Sequence, residues 1–329
     1  MFSFSLMLFA GLVILAISGD RLVRGSVSAA MKLGVSQVLA SVVIVGFGTS
    51  APEMLVAIDA TMSGAPGMAM GNIIGSNIAN ILLVLGLPAL FFTLKPNGRG
   101  LRRSIIVTVF ATAAWLILTP IYGLSPIIGL AFLCTLLAYI FSALVWADSP
   151  TAEQLADDDI VHEAPVNPIL TAGYICIGIV GLPLGAHLTI TGATGIAELL
   201  NFRGELVGLT LIALGTSLPE LAAAMAAVYR KEPDVIFGDV AGSNLFNLLG
   251  AGGIISLFGH FELPAIFNQF DHWFMGGTLL FLMIYIFCRR QIGWLTGSCF
   301  LAIYVLYLLG LYYFYVLGLN WSVLWTQIS

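Results

Sequence analysis

One stretch of the chain occurs twice, and this duplication constrains the fold more than any other feature of the sequence. Residues 42–86 align with residues 209–253 at a constant offset of 167 positions and without a gap. Of the 45 aligned positions 15 are identical, and the most similar part reads Gly-Thr-Ser-Ala-Pro-Glu in the first copy and Gly-Thr-Ser-Leu-Pro-Glu in the second. An internal duplication of this kind predicts two structurally related halves.

The composition places these halves in a lipid membrane. Hydrophobic residues make up 59% of the 329 residues and charged residues only 9%, with a mean hydropathy of +1.02. Soluble domains carry about 25% charged residues, so we predict an all-α polytopic membrane protein. A spanning helix needs ~20 apolar residues. On that basis ten transmembrane helices are predicted, at residues 3–30, 37–62, 68–91, 102–120, 123–146, 168–198, 205–229, 235–258, 271–288 and 294–318.

Five of these spans fall in each half, and an odd number reverses the direction of the second half across the membrane. The sequence therefore predicts two inverted five-helix repeats, residues 1–147 and 168–329, a layout typical of secondary transporters with a site between the halves. Of the 12 Lys and Arg residues, only Arg203 falls on the opposite face from the rest. By the positive-inside rule, the odd-numbered connections are then cytoplasmic and both termini face outward.

The connection between the halves, residues 148–167, is acidic. It contains Asp157, Asp158, Asp159 and Glu163 and has no Lys or Arg. A calcium-sensing loop is one interpretation, but consecutive acids lack the alternating ligand spacing of an EF-hand. We therefore predict a solvated cytoplasmic linker.

Each copy of the repeated motif puts a carboxylate near the middle of a predicted span, Glu53 in the second and Glu220 in the seventh. An ionisable side chain at that depth is costly and indicates a functional site. Pro52 and Pro219 lack an N–H, and each ring clashes with the carbonyl four residues earlier. We therefore expect both helices to be kinked or unwound at the motif, with carbonyl groups turned toward a cavity.

A second motif follows each of these carboxylates. The span after Glu53 reads Gly-Asn-Ile-Ile-Gly-Ser-Asn-Ile-Ala-Asn from residue 71, and its counterpart from residue 238 reads Gly-Asp-Val-Ala-Gly-Ser-Asn-Leu-Phe-Asn. Ser76 lies four residues before Asn80, so their side chains share a helix face, and Ser243 and Asn247 repeat the spacing. Glycines four apart permit close helix approach.

The chemistry of these side chains favours a hard cation. The motifs supply carboxylate, hydroxyl, amide and backbone oxygens and no Cys or His. Six to eight flexible oxygen ligands suit Ca²⁺, and two glutamates balance its charge. The same oxygens could hold several Na⁺ ions. For any single hydroxyl, a bond to its own helix backbone remains an open alternative, and Asn77 and Asn244 are interpreted equally well as structural residues or as ligands.

At these residues the sequence resembles the cation/calcium exchanger superfamily, and specifically its bacterial sodium/calcium antiporter branch. The resemblance rests on both GTSxPE motifs, both GSNxxN motifs, the five-plus-five layout and the acidic linker, so it covers nearly the whole chain. It implies ion ligands from both halves, namely Thr49, Ser50, Glu53, Ser76, Asn80, Thr216, Ser217, Glu220, Ser243 and Asn247.

The resemblance also implies backbone oxygen ligands for Na⁺ near Gly46 and Ala213, and Na⁺ sites beside one central Ca²⁺ site. It implies alternating access in which spans 1 and 6 slide past the rest, in a prokaryotic inner (cell) membrane. Parts of the family have Asp where Asn80 or Asn247 stands, and the Asn residues here argue against the potassium-dependent branch.

The leading hypothesis is therefore an antiporter that extrudes Ca²⁺ from the cytoplasm in exchange for Na⁺, without a cofactor and without enzymatic activity. An H⁺-coupled exchanger of Ca²⁺ or another divalent cation is the close alternative. A passive channel fits poorly, because paired midplane carboxylates favour tight occupancy. An intramembrane protease lacks its motifs, since neither Asp20 nor Asp239 is in a Tyr-Asp or GxGD sequence.

Four further polar residues are expected at span ends. Asp20 and His187 occupy equivalent repeat positions, and interfacial or structural roles are favoured over gating or proton sensing. Asp59 and Asp239 are predicted to lie at the surface, although Asp239 could attract cations at the cytoplasmic mouth.

Overall fold

The computed structural model describes residues 2–96, 98, 100–145, 167–199, 213–262, 267, 270–288 and 290–311. These residues are almost entirely helical, which confirms the prediction of an all-α fold. Nearly all of the predicted acidic linker lies outside the described residues, as do residues 205–212 of the seventh predicted span and Arg203.

The helical segments follow the predicted spans closely. In chain order they are α1 (Phe2–Leu33), α2 (Gln37–Ala40), the π-helical segment π1 (Ser41–Val45), α3 (Gly46–Met62), α4 (Pro66–Leu82), α5 (Gly86–Phe91), α6 (Leu101–Tyr122), α7 (Pro126–Val145), α8 (Pro168–Leu199), α9 (Ala213–Thr216), α10 (Leu218–Tyr229), α11 (Pro233–Leu245), the π-helical segment π2 (Phe246–Ala251), α12 (Gly252–Ser256), α13 (Asp271–Phe287) and α14 (Trp294–Leu311).

Length and composition separate these segments into two groups. Within the described ranges, six helical stretches are long and apolar enough to cross a membrane. They are Phe2–Leu33, Gln37–Met62, Pro66–Phe91, Leu101–Tyr122, Pro168–Ile196 and Trp294–Leu311. Three shorter apolar helices, Pro126–Ser142, Leu218–Tyr229 and Asp271–Phe287, accompany them. Many large apolar side chains on these helices are exposed, which suits a lipid-facing surface.

The long helices α1 and α8 pack against each other along their lengths in antiparallel directions, and their contacts occur in pairs. A Cβ atom added at Gly178 would lie 2.5 Å from the Leu22 side chain, and one at Gly11 would lie 2.4 Å from the Thr189 hydroxyl. Shifting the pair Leu22 and Gly178 by the repeat offset of 167 gives Thr189 and Gly11. The same contact is therefore made twice, with the roles of the two helices exchanged.

Glycines let α11 approach the segment that leads into α3. A Cβ atom at Gly238 would lie 2.6 Å from the Val38 carbonyl oxygen, and one at Gly242 would lie 2.4 Å from that of Val42. Neither position could carry a larger side chain without a backbone shift. The expected close approach is thus confirmed for α11. In α4 no described atom lies within 4 Å of a Cβ built on the equivalent Gly75.

Two isolated β-bridges join connections from different halves of the chain. Leu94 and Ile292 exchange two backbone hydrogen bonds of 2.9 Å, and Leu124 and Phe261 exchange two of 2.7 and 2.8 Å. Leu94 and Phe261 are 167 positions apart, so one strand of each bridge is the repeat equivalent of the other. We call these the Leu94 bridge and the Leu124 bridge.

The two equivalent residues Asp20 and His187 have different surroundings. Asp20 on α1 accepts a hydrogen bond of 2.6 Å from Arg230 Nε at the end of α10 and pairs with Arg24 Nε at 3.3 Å. His187 on α8 is exposed. The Asp20 carboxylate therefore links α1 to the end of α10, which is a structural role of the kind favoured from the sequence.

Candidate ion-binding site

The two copies of the Gly-Thr-Ser-x-Pro-Glu motif adopt different backbones. In the first copy, α3 continues through Pro52 as a helix, so the backbone is not unwound at that proline. The irregular stretch lies earlier, where π1 replaces α-helix immediately before Gly46. The wider π-helical turn changes the backbone bonding one turn before the motif, which is where such segments often mark functional sites.

The second copy is broken at the motif, as predicted. The short helix α9 ends at Thr216, Ser217 is not helical, and α10 begins at Leu218 with Pro219 in its first turn. This arrangement leaves Glu220 in the first turn of α10, where the unpaired N–H groups and the helix dipole favour negative charge.

Glu53 and Glu220 are brought together from the two halves. They are 0% and 1% exposed, and their carboxylates are close enough to repel each other electrostatically. Among the described residues, neither carboxylate has a hydrogen-bond partner for either oxygen. Two buried negative charges without a partner are strongly unfavourable, so the pair must be neutralised by a bound cation or by protons.

A third carboxylate, which sequence reasoning placed at the surface, belongs to the same cluster. Asp239 is 1% exposed, and its Oδ1 atom accepts hydrogen bonds from the hydroxyls of Thr49 at 3.0 Å and Ser243 at 3.3 Å. The prediction for Asp239 was therefore wrong, whereas Asp59 is exposed as expected. The sequence spacing could have indicated the position of Asp239, because Asp239 precedes Ser243 by four residues and so shares its helix face.

Hydroxyl groups from both halves, those of Thr49 and Ser243, contact this third carboxylate. Thr49 Oγ1 lies 3.0 Å from Ser243 Oγ and 3.0 Å from the carbonyl oxygen of Val45 at the end of π1, which is the alternative acceptor for its single hydrogen. Ser243 Oγ is also 3.4 Å from the Gly46 carbonyl oxygen. The predicted oxygen atoms of Thr49, Ser243 and the Gly46 carbonyl therefore lie close together. For Thr49, the alternative of a hydrogen bond from the hydroxyl to its own backbone also applies.

The other predicted hydroxyls do not take part in the hydrogen bonds around Asp239. Ser50 and Ser217 are buried, and no described group bonds to either hydroxyl. Ser76 is 4% exposed, and Thr216 is half-buried at the end of α9. Ala213 begins α9, and its side chain lies outside the described set.

The asparagines form an incomplete network between α4 and the end of α11. Asn80 Nδ2 donates to Asn244 Oδ1 at 3.1 Å, and Asn77 Nδ2 donates to the Ile73 carbonyl at 2.7 Å. Neither amide atom of Asn247 is bonded to a described group, and the Oδ1 atoms of Asn77 and Asn80 are equally unengaged. Amide oxygens are thus available beside the carboxylates.

The arrangement can hold a cation only by combining several oxygen types. In the described part of the chain, no three His, Cys, Asp or Glu side chains lie close enough to hold one metal ion together. No Lys, Arg or His in that part pairs with Glu53, Glu220 or Asp239 either. Hydroxyl, amide and backbone oxygens would therefore complete the coordination, and such oxygens suit Ca²⁺ or Na⁺.

Comparison with known proteins supports the same assignment. A family model described as sodium/calcium exchanger protein matches residues 3–145 and 170–313. The chain belongs to the sodium/calcium exchanger family. The exchanger is thus an integral membrane antiporter of cations rather than an enzyme, and the family works without a cofactor.

Relatives and solved structures align with nearly the whole exchanger. It is 27% identical over 343 residues to the sodium/calcium exchanger MaX1 of Methanosarcina acetivorans, covering 94% of this chain and 98% of that protein. It is 32% identical over 295 residues to the inner membrane protein YrbG of Escherichia coli, covering 87% and 88%. A structure of the sodium-calcium exchanger NCX_Mj soaked with zero Na⁺ and Ca²⁺ matches with a TM-score of 0.80 at 29% identity, covering 94% of this chain and 99% of that chain.

Proposed function

We propose that the exchanger extrudes Ca²⁺ from the cytoplasm and takes up Na⁺ in return. The observation that carries this proposal is the pairing of Glu53 and Glu220, one from each half, buried and without a described partner. Two carboxylates balance one Ca²⁺, and several Na⁺ ions can replace it at the same oxygens. The names of MaX1 and NCX_Mj, both sodium and calcium exchangers, support this choice of ions.

The ligand set follows from the same cluster. We assign the ions to the oxygens of the residues predicted from sequence and add Asp239. The complete set is Glu53, Glu220, Asp239, Thr49, Ser50, Thr216, Ser217, Ser76, Ser243, Asn80, Asn247 and the backbone at Gly46 and Ala213. The convergence of Thr49, Ser243 and Asp239 within hydrogen-bonding distance supports this assignment most directly.

We infer that the ten predicted helices form two inverted repeats, residues 1–147 and 168–329, joined by a cytoplasmic linker at 148–167. The paired contacts between α1 and α8 support this, since inverted copies exchange roles at a shared interface. The two equivalent β-bridges support it as well. In such a layout the ion site lies between the halves and opens alternately to each side.

The orientation with both termini outside rests on the positive-inside rule. Arg21, Arg24, Arg102 and Arg290 then lie at the cytoplasmic face. A prokaryotic inner membrane agrees with the name of the YrbG relative.

The test is Ca²⁺ uptake into proteoliposomes loaded with Na⁺, compared with K⁺- or choline-loaded vesicles. Wild type should take up Ca²⁺ only with internal Na⁺. Glu53→Gln and Glu220→Gln should each lower uptake on the order of 100-fold or more, as expected when one partner is removed from a buried charged cluster. Asp59→Asn, which alters an exposed carboxylate, is the matched control and should transport normally.

Other outcomes separate the alternatives. Uptake that ignores Na⁺ but follows a pH gradient would establish proton coupling instead. Ca²⁺ flux without any opposing gradient would indicate a channel. Full activity in both glutamine variants would refute the assigned site.

A further inference from the structure

The Leu94 bridge lies where four helix ends meet, and three cations surround it. Lys95 follows Leu94 directly, Arg290 precedes Ile292 by two residues, and Arg102 lies in the first turn of α6. The Arg102 guanidinium lies over the Phe287 ring, 5.5 Å from its centroid, so the start of α6 meets the end of α13. The bridge itself joins the segment after α5 to the segment before α14. We call Lys95, Arg102 and Arg290 the basic bridge cluster.

No described carboxylate pairs with this cluster. All three side chains are exposed, and none forms a salt bridge within the described ranges. By contrast, Arg24 and Arg230 are paired with Asp20. The basic bridge cluster therefore presents three exposed positive charges that have no salt-bridge partner among the described residues.

Aromatic side chains place the cluster at the level of the lipid headgroups. Phe92, Phe287 and Trp294 are 44%, 41% and 63% exposed, and all three lie within a few residues of the bridge. Trp and Tyr concentrate at the membrane–water interface, so it is Trp294 that carries this placement. The cations beside them are thus positioned to meet phosphate groups rather than acyl chains.

The equivalent Leu124 bridge provides an internal comparison. Its backbone hydrogen bonds are the same, but the charged neighbour of Phe261 is Glu262, and His260 stands on its other side. Neither connection of that bridge carries Lys or Arg between residues 119–127 or 257–262. The basic residues are therefore specific to the Leu94 bridge and are not a shared feature of both bridges.

We propose that the basic bridge cluster binds the phosphate of an anionic glycerophospholipid, such as phosphatidylglycerol, and that this lipid holds the ends of α6 and α13 together. Basic residues at a membrane surface attract anionic lipids, each cation contributing about fivefold in relative affinity. This inference requires only that the chain is embedded in a membrane and does not depend on which ions are exchanged.

The experiment uses the full chain in nanodiscs and Trp294 as the reporter. Lipids with brominated acyl chains quench tryptophan on contact, and the Trp294 signal is the difference between wild type and Trp294→Phe. Brominated phosphatidylglycerol, mixed into phosphatidylcholine, should quench Trp294 at a mole fraction on the order of 100-fold below that of brominated phosphatidylcholine, because the contributions of three cations multiply. In Lys95→Gln/Arg102→Gln/Arg290→Gln, the two lipids should quench equally.

Lys231→Gln is the matched control, because Lys231 is an exposed cation at the turn between α10 and α11 and belongs to neither connection of the bridge. It should leave the preference unchanged, whereas Arg102→Gln alone should reduce it by about fivefold, which keeps the test decisive if the triple variant fails to fold. Equal quenching by both lipids in wild type would overturn the proposal. A loss in Lys231→Gln as large as that in Arg102→Gln would also overturn it, by indicating a general surface potential. Neither result would bear on Na⁺-driven uptake.

Discussion

The two copies of the Gly-Thr-Ser-x-Pro-Glu motif differ more in structure than in sequence. The first continues as one helix through Pro52, and its Thr49 hydroxyl meets Asp239 and Ser243. The second is broken at Ser217, whose hydroxyl has no described partner. Because the local sequences are nearly identical, the difference must come from what each copy packs against. A duplicated segment can therefore hold two conformations in one molecule, which is what alternation between two open states requires.

Packing around the glycines offers the strongest test of this difference. Gly242→Ala would place a methyl group 2.4 Å from the Val42 carbonyl oxygen, and overpacking of this kind typically costs about 1–3 kcal/mol or more. We expect a lower melting temperature in detergent and loss of Ca²⁺ uptake. Gly75→Ala, at the equivalent position of the first half, should change both little. If Gly75→Ala were equally damaging, the difference described between the two glycines would be refuted.

The second test concerns the third carboxylate, which only one half supplies. Asp239 aligns with Asn72, whose amide donates to the Glu53 backbone carbonyl at 3.2 Å. Asp239→Asn should weaken apparent Ca²⁺ affinity in uptake assays by about tenfold or more, since hydrogen bonds to charged groups contribute about 1.5–3 kcal/mol. The exchange Asn72→Asp/Asp239→Asn should not restore affinity. Restoration would mean that the two halves are interchangeable at this position.

The hydroxyls give a smaller effect. Thr49→Val removes a donor to Asp239 and should lower apparent Ca²⁺ affinity by about three- to tenfold, corresponding to a hydrogen bond of about 1 kcal/mol. Thr216→Val, at the half-buried equivalent position, should lower it by less than about threefold by the same reasoning. Titration of Ca²⁺ uptake measures both variants. Equal losses would indicate that the second copy closes around the ion as the first does.

The smallest expected effect is at the equivalent residues Asp20 on α1 and His187 on α8. Asp20→Asn removes the ion pair with Arg230, and because these side chains are partly exposed the loss in unfolding free energy should be under about 1 kcal/mol. His187→Gln changes the exposed equivalent and should have no effect on stability. Thermal unfolding in detergent measures both. A large loss for His187→Gln would contradict the difference described between the two positions.

The sequence was sufficient for the all-α membrane fold and for the burial of the two glutamates, because long apolar runs and a carboxylate within them are strong local signals. It was also sufficient for the break at Ser217. It failed for Asp239. Hydropathy measures contact with lipid, whereas the burial of Asp239 is governed by contact between helices, and every residue from Val235 to Leu245 is buried by other parts of the protein.

The two β-bridges have a consequence for amide exchange with solvent. Amides in connections between membrane helices usually exchange fast, because water reaches them freely. In this protein four such amides, those of Leu94, Ile292, Leu124 and Phe261, donate to a carbonyl of the other half. Hydrogen–deuterium exchange should therefore be slow at two places in these connections, one at each β-bridge. Their rates would report how firmly the two halves are held to each other, independently of any ion.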